Sequence, residues 1–159
     1  MTIRLICVGK IKESFFSEGI AEYKKRLSRF ISFEIIEVKD EKTKENASEK
    51  EENLIRDKEG ERILEKIREG DFVIALSING KKYTSEGFSE YIGDLMNRGV
   101  SSVTFIIGGS IGLSEAVLKR ADSEVSFSDM TFPHQLMRLI FTEQLYRAFK
   151  IMNNEPYHK

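Results

Sequence analysis

The stretch "FIIGGSIGLSEAVLKRAD", Phe105–Asp122, sets an apolar run against three closely spaced glycines and then opens a helical pattern. A strand that runs through a glycine turn into a helix is how nucleotide-binding loops usually begin. Two common phosphate loops fail here on spacing. A Walker loop needs G-x-x-x-x-G-K-[ST], but Leu113 and Ser114 follow Gly112. A dinucleotide fingerprint needs G-x-G-x-x-G, whereas Gly108, Gly109 and Gly112 read G-G-x-x-G. The turn is glycine-rich without being a phosphate cradle of either kind.

Outward from this stretch the chain alternates. Thr2–Gly9, "TIRLICVG", reads as a strand ending at glycine, and Phe16, Ile20, Tyr23 and Leu27 then recur on one helical face. Phe33–Val38 is a second strand. A charged stretch follows from Asp40, with a helix started by a Ser48/Glu51 capping box and supported by a Glu52–Arg56 pair one helical step apart. Gly60 interrupts that helical pattern. Asp71–Leu76 is a third, continuously apolar strand, of the kind a sheet buried on both faces requires, and Asn79-Gly80 predicts a tight turn after it. Phe88, Tyr91, Ile92, Leu95 and Met96 mark the next helix, which Gly99 ends. Ser102–Ile107 is a fourth strand and Glu124–Ser128 a short fifth. The last helix opens at Pro133 and runs to about Met152.

Strands separated by helices predict an α/β fold, a mostly parallel sheet flanked by helices, in one domain over residues 1–159. In such sheets ligands bind outside the carboxyl ends of the strands. Three segments converge there: the loop after Leu76, the turn Gly108–Gly112, and the loop Phe127–Phe132.

With 159 residues, 40% of them hydrophobic, the chain buries a core without disulfide or metal support. Its single cysteine, Cys7, lies in an apolar run, which fits a reducing cytoplasm and a plain core residue. No run is long enough for a signal peptide or a membrane span, so the expected location is cytoplasmic with no membrane partner. The net charge of −1 argues against a chain that coats nucleic acid non-specifically. That charge is uneven: Glu37–Glu69 holds 12 acids and 9 bases, leaving 14 acids and 16 bases elsewhere. One acidic segment masks a mildly basic body, which includes Lys24, Lys25, Arg26 and Arg29.

Leu136, Met137, Leu139, Ile140, Phe141, Leu145, Tyr146, Phe149 and Met152 cover more than one stripe of the last helix. Either its own domain encloses it or a second subunit covers the far side, and the small size of the chain favours a homodimer. The tail Asn153–Lys159 spans at most roughly 23–25 Å when extended, enough to touch a partner's site. Both histidines lie in this region. His134 stands at the helix start, where it can cap the helix or contact RNA. Tyr157, His158 and Lys159 together offer a stacking ring, an imidazole and a cation, the parts needed to hold a splayed RNA base.

Three segments, "IIGGSIGL", "SFSDMTFPHQLMRLIFTEQLYRAFKI" and the terminal "YHK", closely resemble the small single-domain SPOUT methyltransferases of bacterial ribosomes, and the resemblance covers the whole chain. It implies a SPOUT-type fold with a C-terminal trefoil knot, a homodimer, and S-adenosylmethionine held in the knotted loops. It also implies methylation of N3 of a pseudouridine in helix 69 of 23S ribosomal RNA, on the assembled ribosome. Carried over motif by motif, the cofactor contacts would be Leu76, Gly108, Gly109 and the run Phe127, Ser128, Asp129, Met130, Thr131, Phe132, with Ser110 and Gly112 shaping the turn. Ile111 departs from the pattern, since relatives are expected to carry a more polar residue there.

A base for the N3 proton, or a stabiliser of the developing anion, would contribute roughly 10²–10⁴-fold. His158 and Glu143 are the candidates, with Tyr157 as stacking surface. Arg147, Lys159, His134 and Arg138 are candidate RNA contacts, although Glu143 and Arg147 are also spaced as an ordinary helix ion pair. No metal is called for. The rival readings are a SPOUT enzyme acting on transfer RNA, a non-catalytic ribosome-associated protein, and a flavodoxin-like domain. The last would need a hydroxyl-rich loop where this chain has "GKIKES".

Overall fold

In a computed structural model that describes residues 1–158, ten elements follow one another in strict alternation. They are β1 (Thr2–Val8), α1 (Ser14–Leu27), β2 (Ser32–Val38), α2 (Glu49–Leu64), β3 (Phe72–Lys82), α3 (Ser85–Asn97), β4 (Ser102–Ile107), α4 (Glu115–Arg120), β5 (Ser123–Ser126) and α5 (His134–Met152). The strands form one sheet in the order β2-β1-β4-β3-β5, and every neighbouring pair is parallel.

The two-residue period of a strand divides each central strand between the two faces. Ile3, Leu5 and Cys7 of β1 join Val103, Phe105 and Ile107 of β4 on the face covered by α1, α3 and α5. Ile6, Val8 and Ile106 turn to the other face, under α2 and α4, with Ile63 and Val117. Both faces are covered, which is why these strands read as unbroken apolar runs. Cys7 belongs to this core, and burial pushes its thiol up to about 12.

Two local readings needed correction. Asn79-Gly80 makes no tight turn; β3 continues through it to Lys82. The strand shifts register between Leu76 and Lys81 and then pairs again with Val125 and Ser126 of β5. Gly80 is required there by proximity, because a Cβ would come within 2.5 Å of the Val125 backbone. Gly60 does not interrupt α2 either. A Cβ at that position would lie 2.2 Å from Ser114 Oγ, so the glycine lets α2 pack directly on the start of α4.

The capping box at Ser48 and Glu51 forms. The Glu52–Arg56 pair does not, because the Arg56 guanidinium bonds Asn53 and the Ile111 carbonyl instead.

At the amino ends of the strands a polar cluster sits inside the sheet's lower edge. Asp71 accepts hydrogen bonds from Arg4 (3.0 Å), Ser102 (2.6 Å), Thr104 (2.7 Å) and the Arg68 backbone (3.1 Å). Burial alone would raise its carboxyl, but these four donors outweigh it and hold the group below its ordinary value. This cluster pins β1, β4 and the entry to β3 to one another. It also explains why β3 begins at Phe72 rather than Asp71.

Replacing Asp71 with alanine removes the buried counter-charge of Arg4, itself 4% exposed, and leaves it only the half-exposed Glu34 carboxylate at 3.4 Å. The expected loss is about 3–5 kcal/mol in denaturant unfolding. Wild-type protein should also lose the proton-linked part of this stability as pH falls below about 3.8, the ordinary carboxyl value, because the folded state holds Asp71 ionised.

Candidate active site

The register of the sheet brings the three loops together. Leu76 pairs with Ile107 on one side and with Val125 on the other, so the chain leaves β4 at Gly108 and β5 at Phe127 immediately beside it. The loop after β5 is braced by its own hydroxyls: Ser126 Oγ donates to the Ser128 carbonyl, and the Met130 amide donates to Ser128 Oγ. Asp129 is ion-paired with Lys82 on the extension of β3. Phe127 turns inward against Phe88 and Phe141, while Met130, 74% exposed, stands at the tip. A cavity of about 280 Å³ opens here, walled by Tyr83, Phe88, Phe127, Phe132 and Ile140, with Thr84, Ser85 and Gln144 at its polar side. Aromatic and aliphatic walls with a few hydroxyl and amide groups suit a nucleoside.

The glycine turn is built to a tight tolerance. The Gly112 amide donates to the Gly109 carbonyl, and Gly112 lies in the left-handed region with φ 86°. A Cβ at residue 108 would meet the Gly112 carbonyl at 2.9 Å. Behind the turn stands α2. Arg56 donates to the Ile111 carbonyl, and Glu59, 4% exposed, places Oε2 2.8 Å from where a Gly109 Cβ would be. Glu59 Oε1 accepts from the Glu41 amide, but Oε2 has no partner among the described residues. Burial first, then the neighbouring Asp40 and Glu41, raises this carboxyl against the bond from Glu41 and the charge of Arg62. Neither Arg56 nor Glu59 was evident from the sequence, where both look like ordinary members of a solvated helix. The charged segment is therefore the outer wall of the glycine turn.

Arg138 was read as an RNA contact, but it is fully buried. Its guanidinium donates to the carbonyls of Val8 (2.6 Å) and Gly9 (2.8 Å) and to Glu37 (2.9 Å). It ties α5 to the carboxyl ends of β1 and β2 and presents nothing to solvent. His134 does not cap α5, which starts without a side-chain cap after Pro133. It lines a second cleft, of about 530 Å³, with Gly9, Lys10, Lys12, Glu37, Val38, Lys39, Asp40 and Gln135.

The tail folds back. Asn154 adopts φ 51°, its amide bonds the Ile151 carbonyl, and the Glu155 amide bonds the Lys150 carbonyl, the pattern of a Schellman turn with asparagine in place of glycine. Tyr157 is thereby returned to α5. Its hydroxyl donates to Glu143 Oε1 (2.9 Å), lies 3.3 Å from the Tyr23 hydroxyl, and its ring lies under the Arg147 guanidinium. Burial, then the bonds to Tyr23 and Glu143, keeps this phenol protonated well above its usual value. Glu143 also accepts from Arg147 (2.6 Å) and from Gln144 (2.7 Å). The ion-pair spacing of residues 143 and 147 is realised, and both carboxylate oxygens are occupied.

His158 Nε2 lies 2.6 Å from Glu86 and Nδ1 3.3 Å from Arg147. Since arginine can only donate, Nδ1 is the acceptor and Nε2 carries the proton. His158, Tyr157, Glu143 and Arg147 form one cluster. It abuts the 280 Å³ cavity through Glu86 and Glu143, the chain neighbours of Ser85 and Gln144, and Ser85 and Gln144 are bonded to each other (2.8 Å). Lys159 lies outside the described residues.

Comparison with known proteins gives a consistent result. A family model described as "Predicted SPOUT methyltransferase" matches residues 1–158. Over 159 residues, and the full length of both proteins, the chain is 57% identical to ribosomal RNA large subunit methyltransferase H of Streptococcus uberis. It is 56% identical to the protein of that name from Levilactobacillus brevis and 57% identical to ribosomal RNA large subunit methyltransferase H 1 of Clostridium perfringens, again over both full lengths. Among solved structures, a probable methylase family protein from Haemophilus influenzae Rd KW20 shares the fold, with a TM-score of 0.54 at 14% identity. That match covers 99% of this chain and 70% of the other.

Glu59 yields a stability prediction. A carboxyl whose folded value is raised contributes stability below its unfolded value, about 4.5, and loses it as pH rises through the folded value. Glu59→Gln removes the buried charge while keeping an acceptor for the Glu41 amide. At neutral pH the variant should be more stable by about 1 kcal/mol, or about 2–4 °C in melting temperature. The advantage should vanish near pH 4.5. Melting curves that show the variant less stable at pH 7 would refute the assignment.

Proposed function

Because the chain belongs to the SPOUT methyltransferase family, we propose that it methylates ribosomal RNA of the large subunit, the target being N3 of a pseudouridine in helix 69 on the assembled ribosome. The observation that carries this reading is identity of 56–57% with ribosomal RNA large subunit methyltransferases across their full lengths. SPOUT methyltransferases use S-adenosylmethionine. In this chain Leu76, the turn from Gly108 to Gly112 and the run from Phe127 to Phe132 would hold it, in the C-terminal trefoil knot that the family resemblance implies. The fit is supported by the adjoining apolar slot and by a turn with no anion-binding lysine, since the donor needs main-chain contacts rather than a phosphate cradle.

When bound, this cofactor supplies an electrophilic methyl group on a sulfonium. The protein's task is to place the nucleophile in line, which can supply several kcal/mol, and to accept the N3 proton. The tail cluster serves the second task. Glu143 is saturated by Arg147, Tyr157 and Gln144, so it positions the tail rather than removing a proton. Among the described residues His158 Nδ1 is the basic lone pair of the cluster, and its partner there is Arg147 at 3.3 Å. On this reading His158 takes the N3 proton at Nδ1, with Glu86 holding the ring from the opposite side. Tyr157 offers its ring to the base.

A second copy of the chain completes the assembly. Leu136, Met137, Leu139 and Ile140 of α5 are only half-buried, and Phe15 of α1 is 61% exposed. A homodimer covers this apolar surface.

Two experiments test the reading. Labelled methyl transfer should occur to assembled ribosomes, and fall to background on ribosomes lacking the helix 69 pseudouridine and on purified transfer RNA. Transfer to transfer RNA in preference to ribosomes would overturn the substrate. Deleting Tyr157–Lys159 should abolish transfer while calorimetry shows cofactor affinity within about twofold of the full chain, a change near 0.4 kcal/mol. Lost cofactor binding in that truncation would instead place the tail in the cofactor site.

A further inference from the structure

Of the two clefts described above, the larger is not the one expected to hold the cofactor. It lies at the carboxyl ends of β1 and β2, and its volume of about 530 Å³ is within the range of small-molecule sites, about 300–1,000 Å³. Lys10, Lys12 and Lys39 stand around it, all three exposed, and among the described residues none of them forms an ion pair. Other surface lysines of the chain are also unpaired among the described residues; what sets these three apart is that they stand around one cleft. Glu37, one of the two acids in the wall, is already paired with the buried Arg138, so Asp40 alone opposes three lysines. His134 feels the same field. Burial lowers its imidazole below the ordinary value, and Arg138 and Lys12 lower it further against Asp40. At neutral pH it therefore sits in the wall as a neutral hydrogen-bonding group. The Gln135 side chain accepts from the Lys12 amide (2.8 Å), fixing the lysine-bearing loop against the start of α5.

The cleft adjoins the glycine turn. Gly9 leaves β1 next to where Gly108 leaves β4, since Cys7 pairs with Ile107, and Val8 touches the position a Gly109 Cβ would take (3.2 Å). Its other wall, His134 and Gln135, follows directly on the loop Phe127–Phe132. A cationic cleft beside the methyl-donor loops is placed to hold the backbone of a strand whose base enters the site.

We infer that this cleft binds phosphates of the RNA substrate, with Lys10, Lys12 and Lys39 as the cations and His134 and Gln135 as hydrogen-bonding groups. The inference rests on the ribosomal-RNA reading above and names a contact surface for it. It also answers how a chain of net charge −1 holds a polyanion: helix α2 of the acidic segment packs behind the glycine turn, while the cleft, lined by the first residues of that segment, gathers three lysines against Asp40 and the already paired Glu37.

The test is co-sedimentation of the full-length protein with purified ribosomes across a salt series, read without turnover. Each single-strand phosphate contact contributes about 0.7 to the slope of log affinity against log salt. Lys12→Ala/Lys39→Ala should lower the slope by about 1.4 and weaken binding about tenfold or more at low salt. Melting temperature and calorimetric affinity for S-adenosylmethionine should be unchanged. Lys12→Arg/Lys39→Arg should restore both slope and affinity, whereas Lys12→Met/Lys39→Met, which keeps the stems without the charge, should behave like the alanine variant; rescue by methionine would point to a merely structural role. A folded alanine variant with unchanged slope and affinity overturns the inference. So does micromolar binding of inorganic phosphate or a free mononucleotide that leaves ribosome binding unaffected when it fills the cleft. If the wild type sediments with ribosomes through these lysines yet transfers no methyl group, the enzymatic reading fails and the phosphate site stands.

Discussion

The buried guanidinium of Arg138 is the constraint on which the upper half of the molecule depends. Two main-chain carbonyls at the end of β1, Val8 and Gly9, point beyond the last rung of the sheet and need donors. Arginine supplies them from α5 in a fixed fork, and Glu37 at the end of β2 balances the charge. A fully buried cation is tolerated only when it is paired and bonded in this way. The tie sets where α5 starts over the sheet. In doing so it fixes the end of the loop Phe127–Phe132 and the wall of the lysine cleft, so one side chain braces both proposed binding surfaces.

The acidic segment has a complementary part. Its helix carries few apolar residues, and its composition suggests a solvated surface feature. Yet its inner face is specialised: Gly60 admits Ser114, Arg56 holds the Ile111 carbonyl, and Glu59 fills the space behind Gly109. The glycine turn owes its shape to this wall as much as to its own residues. Burying a carboxylate with one oxygen unbonded among the described residues costs stability, and it stands directly behind the glycine turn. Such local conflict with general packing rules is a usual mark of a functional region.

The tail follows from a smaller device. An asparagine in the left-handed conformation reverses the chain after α5, so Tyr157 and His158 come back to the helix that precedes them. The resulting cluster joins α1, α3 and α5 through Tyr23, Glu86 and Glu143. It orders two residues that a sequence reading could leave in a loose end, and it sets the tautomer of the histidine.

Periodicity determined the alternation of strands and helices, which depends on residues close together in the chain, and that alternation in turn implied a parallel sheet with three loops at its carboxyl edge. The family resemblance added the cofactor proposed for those loops. What the tertiary structure decided was pairwise and long-range. Gly80 reads as a turn and Gly60 as a helix breaker until Val125 and Ser114 are seen against them. Arg138 reads as a free cation until its partners, about 100 and 130 residues away in sequence, are in place. Lys10, Lys12 and Lys39 become a cleft only when β1 and β2 lie side by side under the start of α5. A sequence states what a side chain is able to do; only the fold determines whether its charge is neutralised, buried or left facing solvent.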